Sequence, residues 1–133
     1  MSKILLDTNA YTHFLAGDEI VLSNLAQADR VHMSVFVLGE LYAGFRAGKK
    51  ERRNKQILER FLQKSSVVVL EATRDTAELF GLIKDSLKKS GRPIPINDVW
   101  IAAHALETGS ILVTYDSHFS AVPGLRLWDE LNP

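Results

Sequence analysis

The tightest constraint on the fold is Ile4-Leu5-Leu6, an apolar run without polar alternation that stops on a carboxylate, Asp7. A strand with one wet face would alternate, so this one needs cover on both sides, as strands of parallel sheets under helices have. In open sheets of that kind ligands bind outside the carboxyl ends of the strands, and Asp7 stands at such an end. A single Asp after a strand serves equally well as the cap of a following helix, here one over residues 9–15. Asp7 is not single in that sense. Ile111-Leu112-Val113-Thr114-Tyr115 is a second strand-like run ending on an acid, Asp116, and two more acids, Glu40 and Asp98, lie in otherwise apolar helical stretches.

Between those runs the chain alternates in period. Asp18, after Gly17, is placed to cap a second helix carrying Ile20, Val21, Leu22 and Leu25. Val31-His32-Met33 reads as a short strand, and Ser34 caps a helix from 35 to about 47. A basic helix follows with Ile57, Leu58, Phe61 and Leu62 on its apolar face, and then a β-branched strand, Val67-Val68-Val69-Leu70. The amphipathic helix from 73 to about 89 ends at Ser90-Gly91, and Pro93 and Pro95 forbid its continuation. Asn97 or Asp98 opens a further helix that stops at Gly109, and Leu125-Arg126-Leu127-Trp128 supplies a last strand. The order predicts an α/β fold: one domain over residues 1–133, with a central, mostly parallel twisted sheet of about five strands and helices on both faces.

A chain of 133 residues buries about two thirds of its unfolded surface without staples. It has no cysteine, which excludes disulfides and thiolate metal sites. The apolar residues before Asp7 are too few for a signal peptide and no stretch approaches membrane-spanning length, so a cytoplasmic protein with no membrane association is expected. Its 16 basic and 16 acidic residues cancel, which on its face argues against a nucleic-acid partner. The distribution argues the other way. From Arg46 to Arg92 basic residues outnumber acidic ones roughly two to one, so a neutral total hides a basic flank beside an acidic remainder. Lys49, Lys50, Arg52, Arg53 and Lys55 are its densest part, and serve either as a solvated helix face or as a grip on phosphates.

The helix around Glu40 is apolar almost all round from Val35 to Phe45, which predicts burial. A buried carboxylate needs an Arg or a metal as partner, and the stripe Val37, Glu40, Leu41, Gly44 offers no Arg. Asp98 shares with Ile101, Ala102 and Ala105 a face suited to packing on the sheet; alone, it would be an acid favoured by the helix dipole. If the four acids converge, they cannot all stay ionised without positive charge among them. An oxygen-only donor set favours hard cations, here one or two Mg²⁺ or Mn²⁺ ions completed by water and phosphate oxygens. The expected reaction is metal-assisted phosphodiester hydrolysis. Thr8, Asn9, Thr114 and Ser117 are short polar neighbours placed to orient the acids or touch substrate, although each suits a turn or cap as well. His13, His32, His104 and His118 show no metal-binding pair at helical spacing, and His118 is expected to be a surface turn residue. Phe80, Trp100 and Trp128 lie in apolar periodic segments and are expected in the core, not as platforms for bases.

Asp7-Thr8-Asn9, Ser34 with Glu40-Leu41 and Gly44, Asp98 with Ile101-Ala102-Ala103, and Thr114-x-Asp116-x-x-Phe119 followed by Pro123-Gly124-Leu125 together resemble a PIN domain. More closely they resemble the VapC-type toxins of bacterial and archaeal toxin–antitoxin pairs, over essentially the whole chain and in order. The resemblance implies a Mg²⁺- or Mn²⁺-dependent endoribonuclease whose catalytic, metal-binding acids match Asp7, Glu40, Asp98 and Asp116. It also implies structured RNA such as tRNA as substrate, a homodimer, and a VapB-type antitoxin whose extended C-terminal segment covers the active site, often with an Arg among the carboxylates. No matched acid is missing. Two rival readings share the fold: a catalytically silent PIN-type module that binds nucleic acid or protein, and a domain phosphorylated on Asp7 or Asp116. Against the last, Asp7-Thr8-Asn9 lacks the second acid two positions on that aspartyl-phosphatases use.

Overall fold

β1 (Lys3–Leu6) lies at the centre of a five-stranded sheet, with β2 (Arg30–Ser34) and then β3 (Val67–Leu70) on one side, and β4 (Ile111–Val113) and then β5 (Arg126–Leu127) on the other. This is a computed structural model that describes residues 2–129; Met1 and residues 130–133 of the expected domain lie outside the described residues. Every neighbouring pair of strands is parallel, and Leu5 sits opposite His32 on one side and Leu112 on the other. Ile4, Leu5 and Leu6 are all at most 3% exposed. Successive side chains of a strand point to opposite faces, so both faces of β1 are covered, as its unbroken apolar run requires. Each leucine buried this way stabilises the fold by about 1.5–3 kcal/mol.

Six helices complete the described residues: α1 (Thr8–Leu15), α2 (Glu19–Gln27), α3 (Val35–Ala47), α4 (Glu51–Leu62), α5 (Arg74–Ser90) and α6 (Ile96–Thr108). Asp18 caps α2 by accepting from the backbone N–H groups of Ile20 and Val21, and Ser34 caps α3 by accepting from Phe36. Gly109 ends α6 in the left-handed region, at φ +67°, a conformation that costs a residue without Cβ little and turns the chain directly into β4. α6 opens differently from expectation. Its first residue is Ile96, and the Pro95 carbonyl accepts from the N–H groups of Asp98 (3.0 Å) and Val99 (3.2 Å), so no side chain is needed as a cap. Asn97 instead donates its side-chain amide to the carbonyl of Phe36 in α3 (3.4 Å), and the Asp98 carboxylate is left without capping duty.

α3 departs from expectation too. Val37, Leu38, Leu41 and Phe45 are buried, but Glu40 is exposed, and Val35 and Tyr42 keep more than a third of their surface. The helix covers the core with one stripe and presents apolar surface with the other, and composition alone does not separate these cases. Of the aromatic residues expected in the core only Trp128 is buried, at 3% exposed; Trp100 and Phe80 are half-buried, and Trp100 stacks between Phe36 (4.9 Å) and Phe80 (4.1 Å), joining α6 to α3 and α5. Among the described residues no helix is long and apolar enough to cross a membrane.

One buried histidine makes stability pH-dependent. His104, 1% exposed, faces the Glu71 carbonyl with Nε2 (3.2 Å), which must therefore carry the proton, and accepts from the Ser34 hydroxyl at Nδ1 (2.8 Å). Burial holds its pKa below the usual 6.5, against upward contributions from the Glu71 contact and Glu107; His32 is lowered as well, by burial and then by Arg30, Lys3 and His104. A group kept neutral in the fold but protonated when unfolded contributes stability fully above its unfolded pKa, and loses it as pH falls below that value toward the folded one. Urea midpoints are therefore expected to decline as pH drops below 6.5, and less steeply in His104→Gln. Identical slopes in the two proteins would show that His104 carries none of the decline.

Candidate active site

The strand order changes direction at β1, whose neighbours are β2 and β4, and the crevice at the carboxyl ends of β1 and β4 is where ligands settle in open α/β sheets. Asp7 leaves β1 there and is 5% exposed. Its Oδ1 accepts the N–H of Ala10 (2.8 Å), capping α1, and its Oδ2 accepts the Thr114 hydroxyl (2.5 Å). Asp7 is thus both cap and site residue. Thr114, fully buried after β4, also accepts the backbone N–H of Asp116 (2.9 Å), so a single hydroxyl couples the two strand ends. From α3, Glu40 reaches the same region and accepts the Thr8 hydroxyl at 2.5 Å. From the first turn of α6, Asp98 Oδ2 faces His118 Nε2 at 2.8 Å.

Burial and neighbouring carboxylates shift two of the four acids, Asp7 and Asp98. Burial raises the pKa of Asp7, the hydrogen bonds from Thr114 and Ala10 oppose it, and the charges of Asp98 and Asp116 push it further up. Asp98 is raised in the same way, by burial first, with His118 opposing and Glu40 and Asp116 reinforcing. Asp98 and Asp116 thus act on Asp7, and Glu40 and Asp116 act on Asp98, across α3, α6 and the strand ends. Among the described residues no Lys or Arg forms an ion pair with any of them.

The supporting residues divide. Thr8 and Thr114 donate hydrogen bonds to carboxylates; Asn9 and Ser117 are exposed, and among the described residues neither side chain hydrogen-bonds to an acid. Each follows a residue that turns into the site, and the roughly 100° step per residue of a helix carries the next side chain away from it. Lys49, Lys50, Arg52, Arg53 and Lys55 are exposed around the start of α4, with Lys55 paired to Glu51 one turn back at 3.5 Å.

His118 is a correction. It belongs to a short 3-10 turn (Ser117–Ala121), and its ring lies between Asp98 and Asp116, with Nε2 2.8 Å from Asp98 Oδ2 and Nδ1 2.7 Å from Asp116 Oδ1. The usable signal was the Asp116-x-His118 spacing; the other partner is 20 residues earlier. A ring nitrogen therefore lies among the carboxylate oxygens. One ligand atom from each of Asp98, Asp116 and His118 falls within 4.8 Å of the others, a spacing that fits a single small divalent cation, with the buried Asp7 alongside.

The sequence profile of the PIN domain matches residues 4–125. The chain is 36% identical over 129 residues to ribonuclease VapC2 of Haemophilus influenzae, covering 95% of this chain and 96% of that protein. This chain belongs to the PIN-domain family of VapC ribonucleases. A second VapC relative, the tRNA(fMet)-specific endonuclease VapC of Shigella flexneri, is 32% identical over 97% of this chain and 98% of its own. Among solved structures, VapBC-1 from nontypeable Haemophilus influenzae superposes with a TM-score of 0.85 at 29% identity, over 96% of this chain and 97% of the other. The PIN match takes in Asp7, Glu40, Asp98 and Asp116, and His118 as well.

Proposed function

We propose that this VapC-family chain is the toxin of a toxin–antitoxin pair, a Mg²⁺- or Mn²⁺-dependent endoribonuclease that hydrolyses phosphodiester bonds in structured RNA. Asp7, Glu40, Asp98 and Asp116 form its catalytic centre. The observation that carries the proposal is that four acids from separate elements lie at one sheet edge and, among the described residues, none of them pairs with a Lys or Arg. A bound divalent cation supplies the missing charge, stabilises developing charge on phosphate oxygens and acidifies water. Glu40 is exposed and Asp98 and Asp116 are half-buried, so their oxygens would be open to it, while Thr8 and Thr114 hold Glu40 and Asp7 by hydrogen bonds.

The tRNA-specific relative supports structured RNA, tRNA above all, as substrate. The VapBC complex among the related structures supports a VapB-type antitoxin as partner. A groove of about 420 Å³ beside Glu40, lined by Val35, Phe36, Gly39, Ala43 and Asn97, suits an extended antitoxin segment with apolar residues and an Arg for the carboxylates. We expect a homodimer acting in the cytoplasm.

The test is cleavage of total RNA with Mg²⁺, with Mn²⁺ and with chelator. Discrete products that vanish with chelator are expected; RNA bound but left intact would support the silent module. The basic residues have their own test, in an Asp7→Asn background that leaves RNA whole. Reversing Lys49 and Lys50 to Glu is expected to weaken binding at low salt and to make the slope of log affinity against log salt shallower by about 1 to 2. An unchanged slope would leave those lysines as solvated surface.

A further inference from the structure

Asp116 Oδ1 accepts the backbone N–H of His118 at 3.1 Å, and the same oxygen lies 2.7 Å from the Nδ1 of the His118 ring. The turn thus seats the ring against Asp116. The other nitrogen then faces a second carboxylate oxygen, Asp98 Oδ2, at 2.8 Å. Two lone-pair atoms repel at that distance unless positive charge lies between them. A divalent cation can take the same place with little movement, since neighbouring donors around an ion with bonds near 2.1 Å are themselves about 3 Å apart. The ring is 37% exposed, which leaves the open side for water and phosphate.

The other histidines lack this arrangement. His104 uses both nitrogens on uncharged protein groups, His32 meets the Ser110 hydroxyl, and His13 faces a single acid, Asp18. A metal-bound imidazole that donates its other N–H to a carboxylate is a recurrent way of orienting the ligand. Asp98, His118 and Asp116 have that order here.

We propose that His118 is a nitrogen ligand of the cation site, sharing an ion with Asp98 through Nε2 while Asp116 orients the ring through Nδ1. The proposal rests on the metal-dependent reading of the site and makes it more specific. Mg²⁺ prefers oxygen donors, whereas first-row transition ions accept imidazole, so His118 tilts the site toward Mn²⁺.

The experiment uses the full chain at one fixed pH and measures Mn²⁺ and Mg²⁺ binding by calorimetry, with pulsed EPR of the bound Mn²⁺. Imidazole nitrogen modulation is expected in the unsubstituted protein. His118→Asn keeps a donor for Asp116 but no imidazole, and is expected to lose the modulation and to bind Mn²⁺ about tenfold more weakly. Its Mg²⁺ affinity should change less than about twofold. His118→Gln serves if the first variant fails to fold, as circular dichroism would show. If the unsubstituted protein binds Mn²⁺ without nitrogen modulation, or if the variants bind it as tightly or more tightly, His118 is not a ligand although the metal centre stands. If it binds neither ion, the metal-dependent reading falls and this proposal with it.

Discussion

Asp7→Asn is expected to reduce RNA cleavage by more than about a hundredfold, beyond the usual cost of losing a group that only supports a metal ligand, and yet to raise the melting temperature of the metal-free protein. Asn is nearly the same shape and is as good a helix cap as Asp, so the bond from the Ala10 N–H at 2.8 Å survives. What disappears is the charge, and the amide nitrogen that replaces Oδ2 donates to the Thr114 hydroxyl instead of accepting from it. The pKa of Asp7 is raised above 3.8, by burial first and then by Asp98 and Asp116, so near neutral pH the metal-free fold holds a charge that the unfolded chain carries more comfortably. For such a group the favourable contribution to folding is present below the unfolded pKa and is lost as pH rises through the folded one. Removing the ionisable oxygen removes the penalty. Mn²⁺ should then stabilise the unsubstituted protein in proportion to its binding and stabilise the variant less. Thermal melts with and without chelator, beside a cleavage assay, check all three statements. A variant that melts lower than the parent and still cuts RNA would take Asp7 out of the centre.

The same residue shows how much the sequence disclosed. An apolar run without alternation sufficed to put β1 in the middle of a covered parallel sheet, because burial on both faces leaves no other explanation for Ile4, Leu5 and Leu6 together. Asp7, Asp98 and Asp116 were legible because an acid at a strand end, or in an otherwise apolar helix turn, has few structural uses. Glu40 was found for a reason that did not hold. Its helix is apolar enough to be buried all round, but one stripe of that apolar surface faces outward, and a sequence does not say whether a stripe is covered by its own fold or kept for another molecule. The start of α6 was misplaced because the Pro95 carbonyl does the work usually given to a capping side chain. His118 was undervalued for a simpler reason: its turn is only five residues long, too short for any periodicity, and its meaning depends on Asp98, which the fold alone brings near.

Thr114→Val tests whether the hydroxyl between the strand ends matters as much as the acids it holds. Thr114 is fully buried; its hydroxyl donates to Asp7 Oδ2 at 2.5 Å and accepts the Asp116 N–H at 2.9 Å, while its carbonyl accepts the indole N–H of Trp128. Valine fills the same space and makes neither hydroxyl bond, so one buried acceptor loses its donor and one backbone N–H loses its acceptor. Stranding buried polar groups in this way costs about 1–3 kcal/mol, which urea denaturation resolves easily. The chemical consequence is larger. The bond from Thr114 is first among the influences that hold the Asp7 pKa down against burial, so without it Asp7 binds a proton more tightly and yields to a cation less readily. Metal affinity and RNA cleavage are both expected to fall by about 10- to 100-fold. Thr114→Ser keeps the hydroxyl and removes only a methyl group, and should cleave close to the parent rate with a stability loss of about 0.5–1.5 kcal/mol. If valine and serine prove equally active, the bridge is mere packing; if only serine works, the two strand ends carry one site because a single hydroxyl holds them in register.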